Sequence, residues 1–296
     1  MATSLNLNTL PEYVEQNKDQ LFVKATLGAK TLDYIEVMTG VKHKEALNYL
    51  DSEVVVKGAA CGWNPDGSDT ISQKYIEVAL AEVEKEYCYI DFKNYFMNYQ
   101  LNWEAGRETL PFEEKFAESN ANRIKDAVED GIWQGISGVD KGFIARFADE
   151  SATTIDAQSG ETISSRVDAL VAGASARMLK KGVNIFMSAT DFRNYVLAAN
   201  STCCANRPLI DAASESIVYA GDSRIKLIPV LGLEDTGYIV AATPDALVYG
   251  TDVEDADSTI DIFFDKKEQK FNLRALWAMG TALKYLDEIV VSKAAE

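Results

Sequence analysis

The stretch from Pro111 to Gln134 constrains this chain more than any other. Phe112, Phe116, Ile124, Val128 and Ile132 fall on one ridge at spacings of four, with Asn120 in the gap, and Ala117, Ala121, Ala127 and Gly131 widen the same face. Lys115, Glu118, Arg123, Lys125, Asp126, Glu129 and Asp130 take the edge and the opposite side. Pro111 suits the first helical position, and Glu113 and Glu114 sit where the helix dipole favours anions. The spacing predicts an unbroken helix roughly 36 Å long at ~1.5 Å per residue. A rod of that length acts as a spine, and the rest of the fold must supply a core along it.

The remaining elements are shorter. Residues 1–40 read as an extended arm with short amphipathic pieces, because Pro11 interrupts an early helix and Gly28 and Gly40 break up the more apolar stretch from Leu21 to Met38. A segment this mixed cannot bury its own apolar residues and is expected to lie against something else. Val54–Val56 reads as a strand, Asn64-Pro65-Asp66-Gly67 as a type I turn, and Ile71 to Val83 as the returning strand. After the glycine-rich stretch from Gly135 to Phe143, the stripe Ile163, Val167, Leu170, Val171, Ala174 and Met178 predicts a second helix. Ser165 and Asp168 would form its capping box, and Lys180, Lys181 and Gly182 its end. Asn184–Ser188 reads as a buried strand and Asp191–Ala199 as a short helix. Ile217–Ala220, Ile225–Val230 and Tyr238–Ala242 read as strands. Ile260–Phe264 and Phe271–Ala275 alternate on either side of a Lys266-Lys267 turn, which predicts a hairpin. The class is α+β with mixed strand order.

Charge and chemistry narrow the function. The 296 residues carry a net charge of −17, which argues against binding nucleic acid through the overall field. One histidine, His43, removes the templates that need two or three imidazoles; between Lys42 and Lys44 it reads as a surface or interface residue. The four cysteines, Cys61, Cys88, Cys203 and Cys204, show no CxxC spacing and read as reduced, packed thiols. Gly135–Lys141 is a poor phosphate loop, because Asp140 replaces a glycine and no Ser or Thr follows Lys141. Asp252, Glu254, Asp255 and Asp257 lack the glycine and closing glutamate of a calcium loop and read as a solvated acidic turn. They open a run of six acids, with no base, from Asp252 to Asp265. No catalytic, cofactor-binding or metal-binding residue is assigned, and no cofactor is expected. The amino terminus lacks a basic and an apolar signal region, and no stretch approaches the ~20 apolar residues of a membrane span, so a soluble protein without an export signal is expected.

Arm, hairpin, spine helix, mixed domain and late hairpin, in that order, resemble the major capsid proteins of tailed double-stranded DNA phages, with their Hong Kong 97-type fold. The most specific local match is Val128-Glu129-Asp130-Gly131-Ile132-Trp133-Gln134-Gly135. Asn184–Ser188, Ile228-Pro229-Val230, Ile239–Pro244 running to Gly250-Thr251-Asp252, and the tail from Phe271 to Val291 with its Met279-Gly280 break also fit the pattern. The resemblance implies an amino-terminal arm over 1–40, an E-loop hairpin over 41–87 and a peripheral domain with the spine helix over 88–134. It implies an axial domain over 135–257, a peripheral hairpin over 258–271 and an axial closing segment over 272–296. It further implies a virion shell subunit, not an enzyme, assembled in the host cytoplasm into hexamers and pentamers. Portal, scaffolding or decoration proteins would be partners, and packaged DNA would be touched non-specifically, an acidic wall leaving it mobile. Some relatives cross-link lysine to asparagine; Lys57 lies in the hairpin, but no motif marks a partner, so a non-covalent shell is expected. An encapsulin-type nanocompartment shell is the alternative in the same fold, and a metal-assisted hydrolase using the 252–265 acids a distant third.

Overall fold

In a computed structural model the described chain opens on a helix, α1 (Thr9–Thr26), and not on an extended arm. The structure describes residues 9–52, 55–59, 61–62, 66, 69–104, 112–158, 160–201, 209–211, 216–219, 222–252 and 259–294. Pro11 does not interrupt α1. It sits in the first turn, where backbone N–H groups have no intrahelical acceptor to lose. Leu10, Val14, Leu21, Phe22 and Ala25 form the buried stripe.

A 3-10 turn at Lys30–Tyr34 leads into β1 (Glu36–Thr39). Next come β2 (Lys44–Ser52) and β3 (Asp69–Glu77), an antiparallel pair bonded only to each other among the described strands. The first strand of this hairpin therefore precedes the valines expected to form it; Val55 and Val56 lie beyond its end. Most of the Asn64–Gly67 turn falls outside the described residues. The run from Ile71 to Val83 is β as expected, divided at Val78 between β3 and β4 (Ala79–Cys88). The helix α2 (Tyr89–Glu104) was not anticipated. It buries Phe92, Phe96 and Tyr99 at helical spacing, against Tyr87, Phe116 and Phe271.

The spine helix is α3 (Phe112–Gln134). Ala117, Asn120, Ala121, Ile124, Val128 and Ile132 are buried along it, whereas Ala127 is exposed. Beyond it come α4 (Gly142–Asp149) and β5 (Thr153–Asp156), neither foreseen. The single helix expected from Ile163 to Met178 is two, α5 (Ile163–Gly173) and α6 (Ala176–Lys181). Each starts on its own hydroxyl cap: Thr162 Oγ1 accepts from the Ser165 amide, and Ser175 Oγ from the Met178 amide, both at 3.3 Å. The cap of α5 is thus the Thr162 hydroxyl, three residues upstream of the expected Ser165, and Ser165 and Asp168 lie inside the helix.

The rest is β-rich, apart from α7 (Ala189–Ser201). β6 (Val183–Ser188), β7 (Leu209–Asp211), β8 (Ser216–Val218), β9 (Ile225–Val230), β10 (Tyr238–Ala242), β11 (Leu247–Thr251), β12 (Thr259–Asp265), β13 (Lys270–Leu283) and β14 (Ile289–Lys293) follow. Seven strands form a mixed sheet in the order β5-β14-β10-β6-β9-β8-β7. Its centre is buried on both faces. Ile185 and Met187 pack into the cluster of α5 and α6 with Val167, Leu170 and Met178, while Phe186 packs oppositely, with Trp133.

The second sheet is β1-β11-β13-β12, with β4 on the other side of β13. Phe271, Leu273, Ala275 and Trp277 alternate inward from β13 into one cluster with the buried faces of α1 and α3. β13 is continuous through Met279-Gly280, where a break was expected, and it crosses the 271/272 position at which the domain division had been drawn. β11 and β12 lie in line along one edge of β13: Thr251 pairs Met279 and Thr259 pairs Leu276. The core of the acid run falls between these two strands in sequence. Asp252 is buried at its start; Glu254, Asp255 and Asp257 lie outside the described residues.

Candidate functional site

The end of α3 is where the distinctive Glu-Asp-Gly-Ile-Trp-Gln-Gly sequence falls, and almost every residue of it is committed to an internal contact. Helical phase turns Glu129 and Trp133 inward, one turn apart. Glu129 is 3% exposed and Trp133 fully buried. Thr31, in the 3-10 turn after α1, donates both its backbone N–H (3.2 Å) and its hydroxyl to the Glu129 carboxylate. The same hydroxyl accepts from Trp133 Nε1 at 2.8 Å. Burial pushes the Glu129 carboxyl above its ordinary value, and the Thr31 hydrogen bonds oppose that rise. Gln134 Nε2 donates to the Gly232 carbonyl at 3.0 Å. Gly232 itself presses on the helix; a Cβ there would stand 2.4 Å from the Glu129 carbonyl oxygen and 2.5 Å from Trp133 Cδ1. The junction thus binds three distant pieces of chain: the amino-terminal segment, the spine helix and the turn after β9.

Gly135–Lys141 continues it as a clasp and not as a phosphate cradle. Gly135 takes φ +85°, with no room for a Cβ against the Lys141 carbonyl. Ile136 and Asp140 bond across the turn. The Asp140 carboxylate accepts from the Gly142 amide (2.9 Å), Arg146 (2.8 Å) and the Thr281 hydroxyl (2.5 Å), so its capacity is spent on α4 and β13. Lys141 pairs outward with Asp149 at 2.5 Å. A third buried carboxylate, Glu288, takes Lys181 (2.8 Å), Arg177 (3.2 Å) and the Thr243 hydroxyl (2.6 Å), tying α6 to the end of β10.

The other sequence candidates are scattered. His43 is exposed at the hairpin root, where its carbonyl accepts from the Val78 amide at 2.9 Å. Cys61 and Cys88 are free thiols but exposed, not packed as expected. Cys203 and Cys204 lie outside the described residues. Lys57 stands 3.9 Å from Asp66 near the hairpin tip. Among the described residues no His, Cys, Asp and Glu side chains gather as three or more metal ligands, and no helix is long and apolar enough to cross a membrane. A cavity of about 520 Å3 between β4, α2 and α3 is lined by Tyr87, Phe92, Phe116, Asn120 and Arg123 among others. There Tyr87 donates to Asn120 at 2.8 Å, and no nucleophile–base pair is formed by these groups.

The remaining candidate surface is the β2–β3 hairpin. Its outer face carries Ile71 (80% exposed) and Tyr75, and Val56 beyond β2 is 93% exposed. Sequence reasoning found the returning strand of the hairpin and the Trp133 motif. It missed Thr31 and Gly232, which have no local signal, since each lies about a hundred residues from the helix it contacts.

No family model and no curated protein matches the chain by sequence. Solved structures do match in fold. The procapsid of satellite phage P4 with its size-determination protein gives a TM-score of 0.59 at 10% identity, covering 94% of this chain and 91% of that one. The capsid of cyanophage P-SCSP1u gives 0.54 at 9%, covering 89% and 87%. The virus-like particle from Pyrococcus furiosus gives 0.56 at 10%, covering 95% and 100%. Matched over 89–95% of its length by these capsid and particle structures, the chain has the Hong Kong 97-type capsid fold.

Proposed function

We propose that the chain is a major capsid subunit, self-assembling into the hexamers and pentamers of an icosahedral shell around packaged double-stranded DNA. One observation carries the reading. The β2–β3 hairpin pairs with no other described strand and exposes Ile71 and Val56, and a two-stranded ribbon is marginal in water until something covers it. Heterologous contact with a neighbouring copy supplies that cover and, repeated around closed rings, a shell. In this reading 41–87 reaches across a neighbour, and 88–134 with 258–271 forms the peripheral domain. The axial domain, 135–257 with 272–296, gathers at the ring centres. Portal and scaffolding or decoration proteins complete the particle.

Electron microscopy and sizing of the expressed protein test it. Closed particles are expected; a species that stays monomeric across concentration and ionic strength sinks it. Likeness to the Pyrococcus furiosus particle over the full length of that chain favours a second reading, an encapsulin-type nanocompartment. Nuclease-protected DNA inside purified particles supports the capsid; a co-purifying enzyme cargo supports the compartment.

A further inference from the structure

The hairpin does not hang freely from the body. Gly250 of β11 and Gly280 of β13 face each other in register, so the sheet presents bare backbone at that point. The hairpin root crosses it there. A Cβ on Gly280 would stand 2.1 Å from the Glu77 carbonyl oxygen, and one on Gly250 would stand 2.7 Å from Ile76 Cδ1. Ile76, Val78 and Leu47 of the root are buried with Val248, Ala278 and Ala282 around this seat. Further out along β3, on the same face as Ile76, Lys74 reaches back to the body. Its ammonium donates to Glu150 Oε2 at 2.6 Å and to the Leu283 carbonyl at 2.9 Å.

One apolar contact at a glycine seat fixes a pivot but not a direction, because apolar packing is non-directional. A second support away from the pivot fixes the angle. Lys74 supplies it, bonded to an anion and to a backbone carbonyl on two different elements. We propose that the Gly250–Gly280 seat and the Lys74 brace together set the angle at which the hairpin leaves the body, and that this angle sets the geometry of assembly. The second half rests on the shell reading above.

Lys74 is a positioning residue, and its test reads direction as well as assembly. Spin labels on Cys61, near the hairpin tip, and Cys88, on the body, report the angle once Cys203 and Cys204 are changed to serine. Labelled chains are diluted into unlabelled protein, so that only distances within one chain count. The native chain gives one narrow distance peak. Lys74→Met, which keeps the side chain's length and loses its charge, broadens and shifts that peak, and Lys74→Arg restores it. Micrographs of Lys74→Met show particles of mixed diameter or open sheets, with the melting temperature of the unassembled chain unchanged. Gly280→Ala does the same if it folds; Lys74→Met stands if it does not. A Lys74→Met peak identical to native overturns the brace, with or without particles. A broadened peak with native particle diameters overturns its link to assembly. A native chain that never assembles, yet whose narrow peak Lys74→Met broadens, defeats the shell reading and leaves the brace intact.

Discussion

The carboxyl end of α3 and the β2–β3 hairpin are both junctions between distant parts of the chain, and they are built to opposite rules. At the end of α3 the carboxylate, hydroxyl and indole of Glu129, Thr31 and Trp133 satisfy one another inside the core, with Gly232 closing the packing. On the hairpin, only the inner face near the root is buried. The outer face shows Ile71 and Tyr75 beside a polar ladder in which Gln73 donates to Asn48 at 2.9 Å. The first region has met all its demands within one chain. The second has met half of them, and its remaining apolar surface is available to another molecule.

That contrast is easiest to break at Trp133. Trp133→Ala empties a fully enclosed site and removes the donor that orients Thr31. Chemical denaturation should show a loss of about 3–5 kcal/mol. A loss no larger than that of a surface substitution would mean the junction does not hold the fold together. Gly232→Ala is next, at about 1–3 kcal/mol, because the added methyl meets both the Glu129 backbone and the fully buried Trp133 ring. Its unfolding curve should keep the native slope and shift only its midpoint.

A smaller, pH-dependent effect sharpens the picture at Glu129. Its folded pKa is raised by burial above the ordinary 4.5, so the folded chain keeps this proton where the unfolded chain has released it. Its contribution therefore favours folding below about pH 4.5 and is lost as pH rises through the folded pKa. Glu129→Gln has no proton to release. The stability of wild type relative to this variant should fall as pH rises across that window, and a flat difference would refute the buried, raised carboxyl. The smallest folding effect belongs to the hairpin. Ile71→Ser should change the stability of the unassembled chain by no more than about 0.5 kcal/mol. It should nevertheless lower the yield of particles by sizing; unchanged yield would remove Ile71 from any interface.

Legibility followed locality. The α3 stripe, β6, β9, β10 and the β12–β13 hairpin were readable because their apolar spacing repeats within one element. β2 was missed because Lys-Glu-Ala-Leu-Asn-Tyr-Leu-Asp-Ser is poor in strand formers and is held as a strand by pairing with β3. The α2 signal was present in Phe92, Phe96 and Tyr99, spaced by four and three, but other aromatics on the same helix obscured it. At Pro11 a rule for helix interiors had been applied to a first turn, where it does not hold. The Trp133 motif was visible as a sequence, but its meaning was not.

By itself, then, the sequence determined which faces are apolar, since a period of 3.6 or 2 is a property of neighbours along the chain. It set the spine helix, the mixed class and the absence of clustered histidines. Only the tertiary structure decided which distant residue each face would meet. Thr31 reaches Glu129 across 98 positions, and Gly250 faces Gly280 only because β11 and β13 pair in that register. A shift of one residue would turn every side chain of β11 to the other face and leave the hairpin root without its seat.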